Sequence, residues 1–232
     1  MLYLNKRIKD YSVAKNLFCI EGADLTGKTT LQHYLVDFYK SKEISMLPLV
    51  SPGETVVGNE IRTILKKYEM PSIAQQCLFN ASESIIFETV FNENDNFIFD
   101  RCWISRLVYQ YALTRKFSFI EPDKIYEIIE RMINCGIKLP YNNIILLFKN
   151  AETIKKRLES RSKKKGSKVK KDVFEKNGYE KINNAYCAVV NALQYELEFE
   201  DIMRFHTFVV DDMSISDLTN KVVESLDIFI GD

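Results

Sequence analysis

The segment Gly22-Ala23-Asp24-Leu25-Thr26-Gly27-Lys28-Thr29 fits G-x-x-x-x-G-K-[ST] at every fixed position, and Thr30 follows directly. Glycines at this spacing let the backbone bend so that successive N–H groups face one anion. A helix starting near Lys28 turns the positive end of its dipole toward the same point. The ammonium of Lys28 would neutralise the outer phosphates of a nucleoside triphosphate, and the Thr29 hydroxyl is a hard oxygen suited to magnesium. Residues 22–30 are therefore the expected phosphate cradle. The alternative, an ordinary glycine turn beside a surface lysine, leaves the match of pattern and context unexplained.

Asp100-Arg101 is a second polar pair, placed where the apolar run 97–99 ends. A carboxylate there can hold the water shell of magnesium, and a guanidinium can clamp a phosphate bidentately. A salt bridge capping the next helix is the structural alternative. Asp24 sits inside the cradle, where triphosphate would repel it unless it points elsewhere or bonds a hydroxyl; stabilising the loop through nearby amides is the other reading. Residues 161–171 hold Arg161, Lys163, Lys164, Lys165, Lys168, Lys170 and Lys171, interrupted by Gly166 and Ser167. Three readings fit this run: a lid that brings cations to the transferring group and excludes water, a track for a nucleic-acid backbone, or a solvated loop.

These residues need a scaffold, and the apolar periodicity supplies one. Leu17 to Glu21 is a short apolar strand meeting Gly22, and helical spacing follows over 28–40 through Leu31, Tyr34, Leu35 and Phe38. Strands are expected at 46–50, 97–99, 143–148 and 207–210. Helices are expected over about 56–68, 71–90, through Leu107 and Tyr111, and over 125–133, 151–161, most of 173–204, and 215–229. Strands alternating with helices imply right-handed crossovers and a parallel sheet covered on both faces. In that architecture ligands sit beyond the carboxyl ends of the strands, where Gly22, Pro52 and Asp100 all fall. The expected fold is a three-layer α/β/α sandwich around a central parallel five-stranded sheet.

Composition narrows the partner. Lysine plus arginine and aspartate plus glutamate number 32 each in 232 residues, so no global field favours nucleic acid or an anionic membrane. Residues 1–15 mix charges with single apolar residues, unlike a signal peptide, and no apolar run approaches the roughly 18 residues of a membrane span. The expectation is a cytoplasmic chain with no membrane contact. Five scattered cysteines, Cys19, Cys77, Cys102, Cys135 and Cys187, fit reduced, small buried hydrophobes better than disulfides. Two histidines and no C-x-x-C pair make zinc an unpromising ligand.

The segments from Phe18 through Thr30, Ser51-Pro52-Gly53-Glu54-Thr55 with Gly58 and Ile61-Arg62, Asp100-Arg101 with Ser105 and Tyr109-Gln110, and Leu158 with Arg161 occur in an order and at separations that resemble thymidylate kinase. The resemblance covers nearly the whole chain. It implies a single P-loop kinase domain over 1–232, with an N-terminal extension at 1–15 and a basic lid region at 161–172. It also implies magnesium-dependent transfer of the γ-phosphoryl of ATP to dTMP, giving dTDP. In the family the arginine of the Asp-Arg pair holds the acceptor phosphate, so Arg101 takes that role, and Asp24 meets the acceptor sugar hydroxyl. Phe79 stacks on the acceptor base, worth roughly 1–3 kcal/mol, while Ser105 and Tyr109 lie near base and sugar. Core packing is the alternative for all three. Lys28, Arg101 and Arg161 form the implied catalytic set, with Thr29 and Asp100 at the magnesium. Because Leu25 and Thr26 occupy loop positions where some members carry an arginine, Arg157, Arg161 or a lid lysine would have to compensate. Asp172, Glu175 and Tyr186 fall where the lid leads into its following helix. A small-molecule nucleoside monophosphate is the implied partner, nucleic acid is not, and a homodimer is the implied assembly.

The chain departs from the family pattern in four places. Val50 and Ser51 stand where Arg-Glu is usual, Glu54 replaces a glycine, Cys102 replaces an aromatic residue or histidine, and Glu83 aligns with an arginine that reads the thymine carbonyl. An ionised carboxylate only accepts hydrogen bonds, so Glu83 would accept from the exocyclic amine of another base, or Gln75 or Gln76 would serve thymine. Kinases for another deoxynucleoside monophosphate or a deoxynucleoside, and a nucleotide-binding protein with weakened catalysis, are the competing expectations.

Overall fold

Leu17 and Cys19 enter one core and Phe18 and Ile20 another, so β1 (Leu17–Glu21) is buried on both faces. This alternation is what a strand between two helical layers requires. The computed structural model describes residues 17–90, 96–111, 121–134, 142–165, 178–196 and 203–226. Within them β1, β2 (Met46–Val50), β3 (Asn96–Asp100), β4 (Asn143–Phe148) and β5 (Arg204–Val209) form one parallel sheet in the order β2-β3-β1-β4-β5.

Helix α1 (Lys28–Lys40) and the last helix cover one face, with Leu31, Leu35 and Tyr39 of α1 packed beside Leu218 and Val222. The other face carries α3 (Ser72–Thr89), the short α4 (Trp103–Arg106) with a wider turn at Leu107–Tyr111, α5 (Pro122–Asn134) and α7 (Tyr179–Asn191). Their Ile86, Trp103, Ile129 and Tyr186 meet Phe97, Phe99, Ile144 and Leu146 of the sheet. The expected three-layer α/β/α sandwich with a five-stranded parallel sheet is what forms. Between β2 and α3 lies α2 (Val56–Lys67), whose first turn is capped by the Thr55 side chain accepting from Gly58 N at 2.9 Å. The closing helix α8 (Ile215–Ser225) is capped likewise by Ser214.

Three boundaries differ from the periodicity reading. β5 begins at Arg204, three residues before the expected 207, because Arg204, Phe205 and His206 pair with Asn143, Ile144 and Ile145. As an edge strand β5 keeps polar side chains exposed, so no apolar run announced it. The described part of the expected 173–204 helix is Tyr179–Asn191, followed by a wider turn at Ala192–Glu196. Helix α6 (Ala151–Lys165) extends past 161 into the lysine run, since lysine and arginine are good helix formers. Residues 1–15 and 166–172, with Asp172, Glu175, Cys135 and Gly136, lie outside the described residues. Cys19 and Cys102 are buried free thiols as expected, whereas Cys77 and Cys187 sit exposed on α3 and α7, off the apolar faces of those helices.

Strand register gathers the polar loops at one edge of the sheet. Ile20 and Val50 both sit level with Asp100, so the chain leaves β1, β2 and β3 on the same side.

Candidate active site

Residues 22–27 turn sharply between β1 and α1, and residues 28–30 open the helix. Gly22 has φ 138, and a Cβ there would lie 2.3 Å from the Leu147 carbonyl oxygen, so only glycine lets the loop cross β4. Gly27 caps α1 with φ 111. Lys28 is buried, and its Nζ donates to the Ala23 carbonyl at 2.9 Å and lies 3.8 Å from Asp24 Oδ1. Thr26 Oγ1 donates to the same carbonyl at 2.9 Å. Burial, followed by the nearby Arg101 charge, holds the Lys28 ammonium below its usual pKa. Thr29 Oγ1 donates to Asp100 Oδ2 at 2.5 Å, bringing together the two predicted metal ligands from α1 and β3. Thr30 follows on the exposed side of α1.

Arg101 is the hub of the polar network. With φ 77, it turns its guanidinium back over β1. It donates to Asp24 Oδ1, to Ser105 Oγ at 3.1 Å and to the Tyr186 hydroxyl at 3.0 Å, and it lies 3.9 Å from Glu21 Oε2. The Tyr109 ring sits 5.6 Å from the guanidinium. Burial opposes the arginine's charge, but Tyr109, Tyr186, Asp24 and Glu21 outweigh it and raise its pKa well above the ordinary value. Burial in turn pushes Tyr109 up to about 12.

Glu21, fully buried, anchors this network from beneath. Its carboxylate accepts from Cys102 N at 2.7 Å, Ser105 N at 3.2 Å, Ser105 Oγ at 2.7 Å and Tyr186 OH at 2.9 Å. Four donors satisfy a charge that would otherwise be costly to bury. Cys19, Glu21 and Cys102 place ligand atoms within 4.8 Å of one another, and burial pushes the Cys19 thiol up to about 11.

One cavity of about 300 Å³ joins these parts. Asp24, Lys28, Thr29, Asp100 and Arg101 line its polar end. Val50, Pro52, Leu65, Phe79, Cys102, Ser105, Arg106 and Tyr109 line the rest, and Arg62 and Lys66 reach in from α2. Phe79 is thus a wall of the cavity instead of a core residue.

Glu83 does not serve as a base reader. It is fully buried on α3, is not part of the cavity wall, and forms an ion pair with Arg106 Nη2. The expectation that its carboxylate accepts from an exocyclic amine is therefore corrected: the charge is spent on an arginine from α4. Gln75 is also diverted, donating to the Met70 carbonyl at 3.3 Å.

Arg157 reaches the phosphate loop, donating from Nη1 to the Leu25 carbonyl at 3.2 Å. The backbone of Arg161 lies one turn further along α6. Arg62, Lys66, Arg106, Glu21 and Tyr186 escaped the sequence reading as site residues. Arg62 was signalled by its place in the Ser51-to-Arg62 block and Tyr186 by its place after the lid, whereas the contact joining Glu21 to Tyr186 spans 165 positions and left no local pattern. Glu54, which stands in for a family glycine, has φ 60, the left-handed backbone a glycine adopts easily.

A family model described as thymidylate kinase matches residues 20–202. The chain belongs to the thymidylate kinase family. Among curated relatives, the thymidylate kinase of Chlorobium chlorochromatii is 33% identical over 100 residues, covering 40% of this chain and 45% of that protein. The thymidylate kinase of Bacillus anthracis is 34% identical over 123 residues, covering 49% and 57%. The chain thus spans about half the length of the curated relatives it matches. The solved structure of thymidylate kinase from Candida albicans superposes with a TM-score of 0.64 at 19% identity, covering 91% of each chain. That of Ehrlichia chaffeensis superposes at 0.61 and 17%, covering 93% of this chain and all of the other. These superpositions show the thymidylate kinase fold. No helix among the described residues is long and apolar enough to cross a membrane.

Proposed function

We propose that this chain is an enzyme that transfers the γ-phosphoryl of ATP to dTMP, giving dTDP. The observation that carries this reading is the single cavity joining the phosphate loop, Arg101 and Phe79, since a transfer between two nucleotides needs both phosphate groups at one point.

In this reading the loop amides and Lys28 hold the β and γ phosphates of ATP. Lys28 exchanges its hydrogen bond with the Ala23 carbonyl for phosphate oxygens, and a partly desolvated ammonium interacts more strongly there than in water. Arg101 orients the acceptor phosphate, with Ser105 and Tyr186 fixing its guanidinium. Asp24 moves from Arg101 to the acceptor sugar hydroxyl as that phosphate arrives. Phe79 stacks on the base, and Tyr109 closes the wall beside it. Arg157 brings a further cation to the loop, with Arg161 and the lysines of 161–172 acting as a lid.

Thr29 Oγ1 and Asp100 Oδ2, 2.5 Å apart, are hard oxygen donors at the loop and fit Mg²⁺. When bound, Mg²⁺ would supply charge neutralisation at the phosphate oxygens. The site suits a small-molecule partner in the cytoplasm, and the basic segment serves phosphate instead of nucleic acid. The exposed Val57 and Ile64 of α2, with Tyr68 at its C-cap, support a homodimer through that helix.

Measuring ADP and dTDP formed from ATP with each deoxynucleoside monophosphate tests the proposal. Turnover with dTMP is expected; ATP binding without acceptor-dependent ADP release would replace the kinase with a nucleotide-binding protein.

A further inference from the structure

The end of the cavity away from the phosphate loop has an unusual floor. Arg106, at the end of α4, is only 3% exposed yet lines the cavity. Two residues of α3 hold it: Nη2 pairs with Glu83, and Nη1 donates to Asn80 Oδ1, with Met132 Sδ at 3.8 Å behind. Asn80 and Glu83 are three residues apart and so share one helix face. The guanidinium also sits 5.9 Å from the ring centroid of Phe79, the residue before Asn80. A planar donor group fixed at two points beside an aromatic wall is oriented, not merely present. Replacing a buried ion pair by apolar residues is often neutral or stabilising, so packing alone does not account for this one.

The charges lining the cavity divide by sign. Its carboxylates, Asp24 and Asp100, belong to the phosphate end, while Glu83 stays behind Arg106 and off the wall. Among the described residues, the wall beside Phe79 therefore holds the side chain of a cation, Arg106, and no carboxylate.

We propose that Arg106, held by Asn80 and Glu83, is the specificity-determining residue of the acceptor site and selects a base that presents a ring carbonyl there over one that presents an exocyclic amine. This rests on the kinase reading above. A carbonyl oxygen accepts from the guanidinium, whereas an amine sets donor against donor and strands both away from water. Glu83 is a positioning residue that acts through Arg106.

The informative pair is dUMP and dCMP, which have the same ring size and differ at position 4, carbonyl against amine. Initial rates with saturating ATP are measured for the full chain, for Arg106→Met, and for the double variant Glu83→Met with Arg106→Met, which leaves no orphaned carboxylate if the single variant fails to fold. Wild type is expected to favour dUMP and dTMP over dCMP by roughly tenfold to a hundredfold in kcat/KM. In the folded double variant that ratio should fall to within about threefold of unity, through a higher KM for the carbonyl-bearing substrates. A wild-type preference for dCMP, or a double variant that keeps the wild-type ratio, overturns the assignment to Arg106. Wild type inert toward every monophosphate instead removes the kinase reading on which it stands.

Discussion

The hydroxyl of Tyr186 donates to Glu21 Oε2 at 2.9 Å, tying α7 to the last residue of β1 beneath the site. The same oxygen also meets Arg101 Nη1 and Ser105 Oγ at 3.0 Å each, so one phenol serves three partners. Tyr186→Phe keeps the ring packing and removes this node. The expected result is a loss of about 1–2 kcal/mol, read as a drop in Tm of roughly 2–8 °C, with a raised KM for the acceptor nucleotide. An unchanged Tm and KM would show that the phenol is dispensable.

Thr29 and Asp100 meet at 2.5 Å from different elements. If they share a magnesium, Asp100→Asn should raise the half-saturating Mg²⁺ concentration by roughly tenfold to a hundredfold, while Thr29→Ser, which keeps the oxygen, should stay near wild type. Titrating Mg²⁺ against initial rate checks this. Equal Mg²⁺ dependence in Asp100→Asn and wild type would remove Asp100 from the site.

How much of this arrangement could be read from the chain depends on the distance over which a feature is encoded. The phosphate loop, Lys28 and Thr29 lie within eight residues of one motif, and the alternation of Leu17, Phe18, Cys19 and Ile20 sets both faces of β1. Those elements were legible because they are local. Phe79 was legible only as a choice between wall and core, since helical spacing serves both. The Glu83–Arg106 pair was not legible: two charges on different helices give no periodic signal, and an acidic residue within a largely apolar helix looks like a ligand group until its partner is located. β5 starts earlier than its apolar pattern implies for a related reason, because ladder pairing with Asn143 and Ile145 of β4 outweighs the polar character of Arg204 and His206.

Arg157 is exposed and donates from Nη1 to the Leu25 carbonyl of the phosphate loop. Arg157→Ala should therefore leave stability within about 0.5 kcal/mol of wild type while lowering kcat by roughly a hundredfold if its charge stabilises the transferring group. Arg161→Ala, measured alongside, separates the two arginines. A full-rate Arg157→Ala beside a slow Arg161→Ala would move the role one turn along α6.

Lys149 follows β4 with a side chain that is 1% exposed, and burial, together with the Arg157 charge, lowers its pKa from 10.5 to about 8 against the opposing pull of Asp211 and Asp212. A lysine with a depressed folded pKa binds fewer protons folded than unfolded between those two values. Its penalty is thus fully present below about pH 8 and is relieved as pH rises toward 10.5. The drop corresponds to a penalty of roughly 3 kcal/mol. Lys149→Met should be more stable than wild type at pH 7, with the advantage shrinking between pH 8 and pH 10.5. Denaturant unfolding of both proteins at the two ends of that range reads the difference, and a gap that widens with pH would contradict the assignment.

The central claim is that Lys28 and the amides of residues 22–30 grip the phosphates of the donor nucleotide at the point where the acceptor is held. The most direct measurement is dTDP formation from ATP and dTMP by wild type and by Lys28→Met at matched folded concentration. The account predicts measurable turnover in wild type and a loss of at least roughly a hundredfold in kcat/KM in the variant. Undiminished dTDP formation by Lys28→Met would contradict it.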